Sequence, residues 1–480
     1  MIKKGLPIII SIFLFGGLLL FNPFALEPLG QKAVACAALM VALWVTEALP
    51  MPVVALLPIV LFPLLGIADT AETTAPYANP VIFLFMGGFM IGLAIEKWEL
   101  HRRIALSVVK FTGTSGNRIV LGFILATGFL SMWLSNTATT MMMFPIALSV
   151  VQVLERGREN DKGVHNMAIC LLMSIAYASN FGGIATIIGT PPNVAYTAFL
   201  KKQYDYSFNF SDWMLIGTPI ALLLMFSLYF VMTKVLFRTQ IKDDAAAREL
   251  IRHELQQLGK LSVPEKRVLA VFGLTAFLWI FRELINKATG LKLDDNLIAI
   301  LGAVLLFVLP SGDFKGIGKT LLQWEDTRKM AWGILLLFGG GITLANQLEK
   351  AGIIGSLGKW MASGAGDNLF LLILVITVVS IFISEILSNV AQVIVFAPVV
   401  TGMADAMQID PLLLATPMVF AASCASMLPM GTPPNAIVFA SGRLKLMDMV
   451  RTGFIMNLIA VVLITLFCYF VLPVAVAHIR

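Results

Sequence analysis

Ser135-Asn136-Thr137-Ala138 and Ser388-Asn389-Val390-Ala391 each stand in the middle of a long apolar run, and each is followed by Gly-Thr-Pro-Pro-Asn, at Gly189 to Asn193 and again at Gly431 to Asn435. Polar, helix-breaking sequence is costly inside a bilayer, where a freed backbone N–H or C=O meets no water. It is tolerated where it is buried in protein or lines a cavity. Singly, such residues serve in membrane helices as kinks and packing glue. Four of them, arranged as two matching pairs, point to a chamber.

The bulk of the chain agrees. Its 480 residues are 58% hydrophobic and 13% charged, with a mean hydropathy of +0.88, whereas soluble domains carry about 25% charged residues. Apolar runs long enough to cross a hydrocarbon core of about 30 Å recur throughout. The expected fold class is an all-α polytopic membrane protein with no sizeable soluble domain. The net charge of +6 then reads as loop lysines and arginines that set orientation, not as a nucleic-acid surface. Cys36, Cys170, Cys424 and Cys468 are isolated in or beside apolar stretches, as buried thiols are. The first run follows Lys3 and Lys4 and shows no small-residue cleavage site, so it reads as a retained span.

In order, residues 1–78 hold the N-terminal spans. Residues 79–237 form a first repeat: a span, a hairpin over 119–153, a broken span over 167–200 and a span over 213–232. A charged amphipathic linker covers 238–267, two more spans 268–329, and a second repeat 330–480, with a first span, a hairpin at 369–404, a broken span at 411–441 and a last span. The run Ile119 to Val153 lacks any charge. As one straight helix it would be about 52 Å long, too long for one crossing, so it folds at Asn136 into two arms of a re-entrant hairpin. The count is about 11 transmembrane helices with two hairpins.

The repeat is numerical. Glu96-Lys97 recurs as Glu349-Lys350, Gly87-Gly88 as Gly340-Gly341 and Ser135-Asn136 as Ser388-Asn389, all at an offset of 253 residues. Between the matching spans the reading places an odd number of crossings, so the halves should be inverted. Lys97, Arg102, Arg103, Lys110 and Arg118 follow the first Glu-Lys, against Lys350 and Lys359 after the second. Lysine and arginine favour the cytoplasm, which places the first region, the linker and the N-terminus inside. Inverted repeats with broken helices near the midplane are the architecture of secondary transporters.

A broken helix exposes N–H groups at one fragment's start and carbonyls at the other's end; the first attract anions. Carbonyls, Ser hydroxyls and Asn amide oxygens suit a hard monovalent cation. Ser131, Ser135 and Asn136 can supply such oxygens from one hairpin, and Ser384 and Asn389 from the other. The spacing Ser131/Ser135 and Ser384/Ser388 puts each pair on one face of a helical arm. The hairpins and broken spans offer no Lys or Arg to an anion, so a bound carboxylate needs helix N-termini and co-bound cations, for which Na⁺ fits. Glu385, beside the second tip, and Glu47, in a proline-rich break, are functional candidates as intramembrane carboxylates, or else helix caps. His101, His165, His253 and His478 read as loop or terminal residues, which argues against a histidine proton relay.

Trp44-Val45-Thr46-Glu47-Ala48-Leu49-Pro50, the glycine-rich segment Phe85 to Glu96, both Ser-Asn tips and both Gly-Thr-Pro-Pro-Asn breaks together resemble the divalent anion/sodium symporter family, the bacterial relatives of animal Na⁺-coupled dicarboxylate, citrate and sulfate carriers. The similarity runs over essentially the whole chain. It implies a plasma-membrane (inner-membrane) homodimer with a scaffold and an elevator-like transport domain. It implies one Na⁺ site around Ser131, Ser135, Asn136 and Gly189 and another around Ser384, Asn389 and Gly431, with no organic cofactor. Substrate contacts would come from Ser135, Asn136, Thr137, Ser388, Asn389 and the residue after it, with Thr190, Thr432 and Pro433 nearby. One position departs: di- and tricarboxylate carriers carry Thr third in both tips, and here the second tip has Val390. The leading substrate is a C4-dicarboxylate such as succinate, malate or fumarate; sulfate, citrate, and Na⁺-independent exchange stay open. A protease reading rests on Gly113-Thr114-Ser115-Gly116, but Ser115 lies between Lys110 and Arg118 in a predicted loop without a nearby histidine base. A channel is the third class, and the expectation is no enzyme activity.

Overall fold

The computed structural model describes residues 2–46, 48–113, 115–155, 161–237, 245–312, 319–364 and 368–479. Glu47 and Thr114 lie outside the described residues, as does most of the start of the linker. Among the described residues the chain is helical. The N-terminal group is α1 (Ile2–Phe21), α2 (Pro28–Val45) and the short α3 (Met51–Val54), α4 (Leu57–Leu65) and α5 (Thr70–Thr74). The first repeat runs α6 (Pro80–Lys97), α7 (Leu100–Thr112), α8 (Gly116–Ser131), α9 (Asn136–Glu155), α10 (Lys162–Gly183), α11 (Pro191–Tyr204) and α12 (Phe210–Phe230). Then come the linker helix α13 (Ala245–Gln257), α14 (Val263–Thr289) and α15 (Asp295–Val308). The second repeat is α16 (Trp332–Lys350), α17 (Ile353–Gly364), α18 (Leu369–Ser384), α19 (Asn389–Ala406), α20 (Pro411–Ala422), α21 (Pro433–Phe439) and α22 (Leu446–Phe470), with α23 (Leu472–Ile479) closing the chain.

The offset read from the sequence is therefore an offset of helix ends. α8 and α18 both start and stop 253 residues apart, and so do the first residues of α9 and α19. Pro145 and Pro398, each inside the second arm of its hairpin, keep the same spacing. By length and composition, eight helices among the described residues suffice to cross a membrane, with six shorter apolar helices beside them. The hairpin arms α8 and α18 are among the shorter ones, as arms that need not cross would be.

The two repeats interlock. α8 packs on α10 and α18 on α20, within each half; α11 packs on α19, and α21 on both α9 and α10, across halves. Each hairpin is thus held against the broken helix of its own half and one fragment of the other's. α10 is the innermost element, with every residue from Met167 to Gly183 buried. Glycine permits its closest contact: a Cβ on Gly182 would lie 2.3 Å from the Gly128 carbonyl oxygen of α8. α6, at the start of the first repeat, packs on α15, where a Cβ on Gly87 would lie 2.6 Å from the Ala299 backbone.

Two expectations need correction. A π-helical stretch at Val231–Leu236 extends α12, and within the 238–267 linker the described helix is Ala245–Gln257, with α14 already starting at Val263. The histidines are not loop residues throughout: His101, His165, His253 and His478 fall within α7, α10, α13 and α23. None lies in a hairpin, and His165 occupies only the outer first turn of its broken helix.

The contact between α8 and α10 yields a direct expectation. Gly182→Ala forces backbone apart in a packed interior, a cost of about 1–3 kcal/mol. Thermal denaturation of the purified protein in detergent should show a lowered midpoint, and an unchanged midpoint would contradict the packing.

Candidate functional site

Both hairpin tips are built alike. α8 ends at Ser131 and α18 at Ser384; α9 and α19 begin at Asn136 and Asn389. The intervening Ser135 and Ser388 are the N-caps, their hydroxyls accepting from the N–H of Ala138 at 3.3 Å and of Ala391 at 3.5 Å. Ser and Asn suit such positions because a short polar side chain satisfies orphan N–H groups. The expected pairing of Ser131 with Ser135 on one helical face, and of Ser384 with Ser388, is therefore wrong. The helix stops at the first serine of each pair and the second belongs to the turn.

What the tip does instead is fold Asn back over the first serine. Ser131 Oγ lies 2.8 Å from Asn136 Oδ1 and 2.7 Å from the Ser179 carbonyl oxygen. The Asn136 oxygen position is also 3.1 Å from Ser179 O and 3.2 Å from Gly189 O. With the Asn136 oxygen turned inward four oxygens converge, with a single hydroxyl proton among them; with the amide turned the other way, Nδ2 donates to Ser131 Oγ, Ser179 O and Gly189 O instead. In the second half Ser384 Oγ lies 2.7 Å from Asn389 Oδ1 and 2.6 Å from the Ala422 carbonyl oxygen. That is again one proton among three oxygens. A cluster with more acceptors than donors, closed by carbonyls at a helix C-terminus, is chemically a seat for a hard cation. Of the anticipated ligands, Ser131, Asn136 and Gly189 meet in the first cage, and Ser384 and Asn389 in the second. Ser135 serves as cap, and Gly431 packs against Glu385. The Ser179 and Ala422 carbonyls were not anticipated. A backbone oxygen has no sequence letter; only the fall of α10 and α20 beside the tips reveals it.

The breaks hold themselves together with the asparagine of each Gly-Thr-Pro-Pro-Asn. Asn193 Nδ2 donates to the carbonyls of Gly183, Ile184 and Thr186 at 3.2, 3.3 and 2.8 Å. Asn435 Nδ2 donates to those of Ala425 and Leu428 at 3.3 and 3.1 Å. Thr190 and Thr432 are the N-caps of α11 and α21. Asn136 Nδ2 reaches Thr190 Oγ1 at 3.4 Å, and Asn180 Nδ2 reaches Thr432 Oγ1 at 3.1 Å. Thr137 is half-buried, Val390 buried and Pro433 exposed.

Glu385 takes the role of a cap. Only 3% exposed, its Oε1 accepts from the N–H groups of Ser426 and Met427 at 2.7 and 2.8 Å, and its Oε2 from that of Leu428 at 2.9 Å. Asn457 Nδ2 adds a fourth bond at 2.7 Å. The first half has Met132 at the equivalent position, and there Thr186 does the work: its hydroxyl donates to the Met132 carbonyl and accepts from Gly189 N–H. Among the described residues every hydrogen-bond partner of Ser131, Asn136, Thr190, Ser384, Asn389 and Thr432 is uncharged. The one charge next to the site is negative.

The tips differ in access. Trp133 stacks on Phe210 and meets Phe272 of α14 edge-on, closing the first tip. Its counterpart Ile386 is 69% exposed, as is Met430 of the second break at 75%.

A profile of the sodium:sulfate symporter transmembrane region matches residues 3–475. The sodium-dependent dicarboxylate transporter SdcS of Staphylococcus saprophyticus is 39% identical over 465 residues, 95% of this chain and 89% of that protein. SdcS of Staphylococcus aureus strain USA300 is 37% identical over 462 residues, with the same coverages. The chain belongs to the sodium:sulfate symporter family and is a multi-pass membrane protein of a transporter class. Its fold is shared with the YdaH transporter of Alcanivorax borkumensis (TM-score 0.55, 14% identity, 83% of this chain and 86% of that one) and with MtrF of Neisseria gonorrhoeae (TM-score 0.56, 15% identity, 84% and 83%).

Two measurements probe this geometry. Glu385→Ala leaves one buried and two partly buried N–H groups and a buried amide without an acceptor, a loss of about 3 kcal/mol; the melting midpoint should fall well below that of the wild type. All four native cysteines are buried, so a membrane-impermeant maleimide should leave the folded wild type unlabelled and label Ile386→Cys readily. Fast labelling of Trp133→Cys instead would reverse the assignment of the closed tip.

Proposed function

We propose that this protein is a secondary active transporter that carries C4-dicarboxylates such as succinate, malate and fumarate in symport with Na⁺. The observation that carries the reading is the pair of acceptor-rich, uncharged cages at the hairpin tips, with Glu385 as the neighbouring charge. A dicarboxylate brings two more negative charges into a low-dielectric site with no Lys or Arg to meet them, and such a site is prohibitive unless cations enter with it. The naming of SdcS as a sodium-dependent dicarboxylate transporter supports the same cation and the same anion class.

In this reading Ser131, Asn136, Gly189 O and Ser179 O hold one Na⁺, with Ser135 at the edge. Ser384, Asn389 and Ala422 O hold a second, with Gly431 behind. The dicarboxylate lies between the tips, against Ser135, Asn136, Thr137, Ser388, Asn389 and Val390, with the N-caps Thr190 and Thr432 and Pro433 aiming their helix N-termini at its carboxylates. The hairpins and broken helices move as one body against a scaffold of α1–α6 and α14–α16, in an elevator-like cycle. The repeats are inverted, the N-terminus is cytoplasmic, and the unit in the plasma membrane is a homodimer. The unequal exposure of Trp133 and Ile386 fits a chamber open on one side at a time.

Reconstituted into proteoliposomes, the protein should accumulate labelled succinate under an inward Na⁺ gradient and not under an equal K⁺ gradient. Ser131→Ala and Ser384→Ala should each raise the Na⁺ concentration for half-maximal uptake roughly five-fold or more, since each removes a ligand from one cage. Uptake that needs internal dicarboxylate and ignores Na⁺ would make the protein an exchanger and sink the symport reading.

A further inference from the structure

Asn180, 1% exposed near the end of α10, stands between the first cage and the second break. It belongs to neither the Ser-Asn tips nor the Gly-Thr-Pro-Pro-Asn segments. Its Nδ2 donates to Thr432 Oγ1 at 3.1 Å, and its Oδ1 accepts from Asn136 Nδ2 at 3.4 Å. Asn136, Asn180 and Thr432 thus form an unbroken chain from one half of the protein to the other.

The Asn136 carboxamide can sit in either of two orientations, one satisfied by the protein alone and one that needs a cation. With Oδ1 toward Ser131, Ser179 O and Gly189 O, the cage is all acceptors but for one hydroxyl proton, the arrangement a cation satisfies. Turned by half a revolution, Nδ2 donates to Ser131 Oγ at 2.8 Å, Ser179 O at 3.1 Å and Gly189 O at 3.2 Å, the arrangement a cage without a cation prefers. The turn is felt by Asn180. In the first orientation it faces an NH₂ and presents its own NH₂ to Thr432. In the second it faces an oxygen, so it must turn too and present its oxygen to Thr432.

We propose that Asn180 is a positioning residue that relays cation occupancy of the first cage to the hydroxyl of Thr432. With the cation bound, Thr432 Oγ1 accepts from Asn180 and from Asn435 N–H, the latter at 3.3 Å. Its hydroxyl proton is then free to donate to a carboxylate between the tips. Without the cation, the Thr432 proton is committed to the Asn180 oxygen and the carboxylate meets a spent donor. The link is seen in one half only. Ala422 is the counterpart of Ser179 as cage carbonyl, which puts Ser423 where the first half has Asn180. The Ser423 hydroxyl is fully buried and has no hydrogen-bond partner among the described residues. Among the described residues the first cage is linked through Asn180 to the second break, and Ser423 makes no matching link from the second cage.

This rests on the Na⁺-symport reading above, and the measurement separates the two. Succinate affinity of the purified protein is titrated at low and at saturating Na⁺, and the ratio of the two dissociation constants is the readout. That ratio isolates coupling from any uniform weakening a structural role would cause. In the wild type Na⁺ should tighten succinate binding. In Asn180→Ala the protein should keep a Na⁺-dependent thermal shift while the tightening shrinks roughly three- to ten-fold, the worth of one hydrogen bond. Thr432→Val breaks the far end of the same bond and serves if Asn180→Ala does not fold. The double variant should lose no more coupling than either single one. Full wild-type tightening in Asn180→Ala, with the wild type Na⁺-dependent, overturns the relay alone. Succinate binding indifferent to Na⁺ in the wild type overturns both the relay and the symport reading.

Discussion

A helix interrupted inside an apolar bundle must have its freed backbone groups met by protein, and everything distinctive here follows from how the two halves meet that demand. The first break is closed by neutral groups, Thr186 and Asn193. The second is closed by Asn435 and by a carboxylate, Glu385, which gathers three consecutive N–H groups and an asparagine amide. A buried carboxylate is costly in isolation and becomes acceptable when each lone pair has a donor. The same sequence repeat has thus been built twice with different chemistry, and the protein is pseudo-symmetric in backbone but not in charge.

The tips show the opposite balance. With their amide oxygens turned inward, the serine–asparagine corners bring carbonyls and amide oxygens together with too few protons, an arrangement a cation satisfies. The proline pairs of the two Gly-Thr-Pro-Pro-Asn segments contribute as well. A proline in the first turn of a helix sacrifices no hydrogen bond, so α11 and α21 begin cleanly after their N-caps Thr190 and Thr432.

Much of this was legible from residues alone. The 253-residue offset, the uncharged hairpins and the breaks at both Gly-Thr-Pro-Pro-Asn motifs reappear as helix boundaries, because proline, glycine and the absence of charge act locally. What was not legible depended on long-range approach. Ser131 and Ser135 were paired by helical period, yet the helix stops at Ser131, since the fold of the tip is set by α10 pressing on α8. Ser179 O and Ala422 O are invisible in one-letter code. Asn180 looks like any polar residue of a membrane helix until α21 is placed beside it. Glu385 carries a reading as cap or as functional group with equal ease; the target that decides for the cap lies some 40 residues on, in a loop whose path only the fold supplies.

The charge asymmetry bears directly on how such a site can work. Glu385 lies against Gly431, next to the N-cap of α21, where the partial positive charge of a helix start would otherwise greet an anion unopposed. A fixed negative charge there reduces the attraction for a bare dicarboxylate and raises it for a cation. In the symport reading proposed above, a dicarboxylate seated there would be disfavoured when it arrives without cations, which is the failure a symporter must avoid. Holding the break, which the hydrogen bonds of Glu385 do, and refusing the uncompensated anion would then be one and the same interaction.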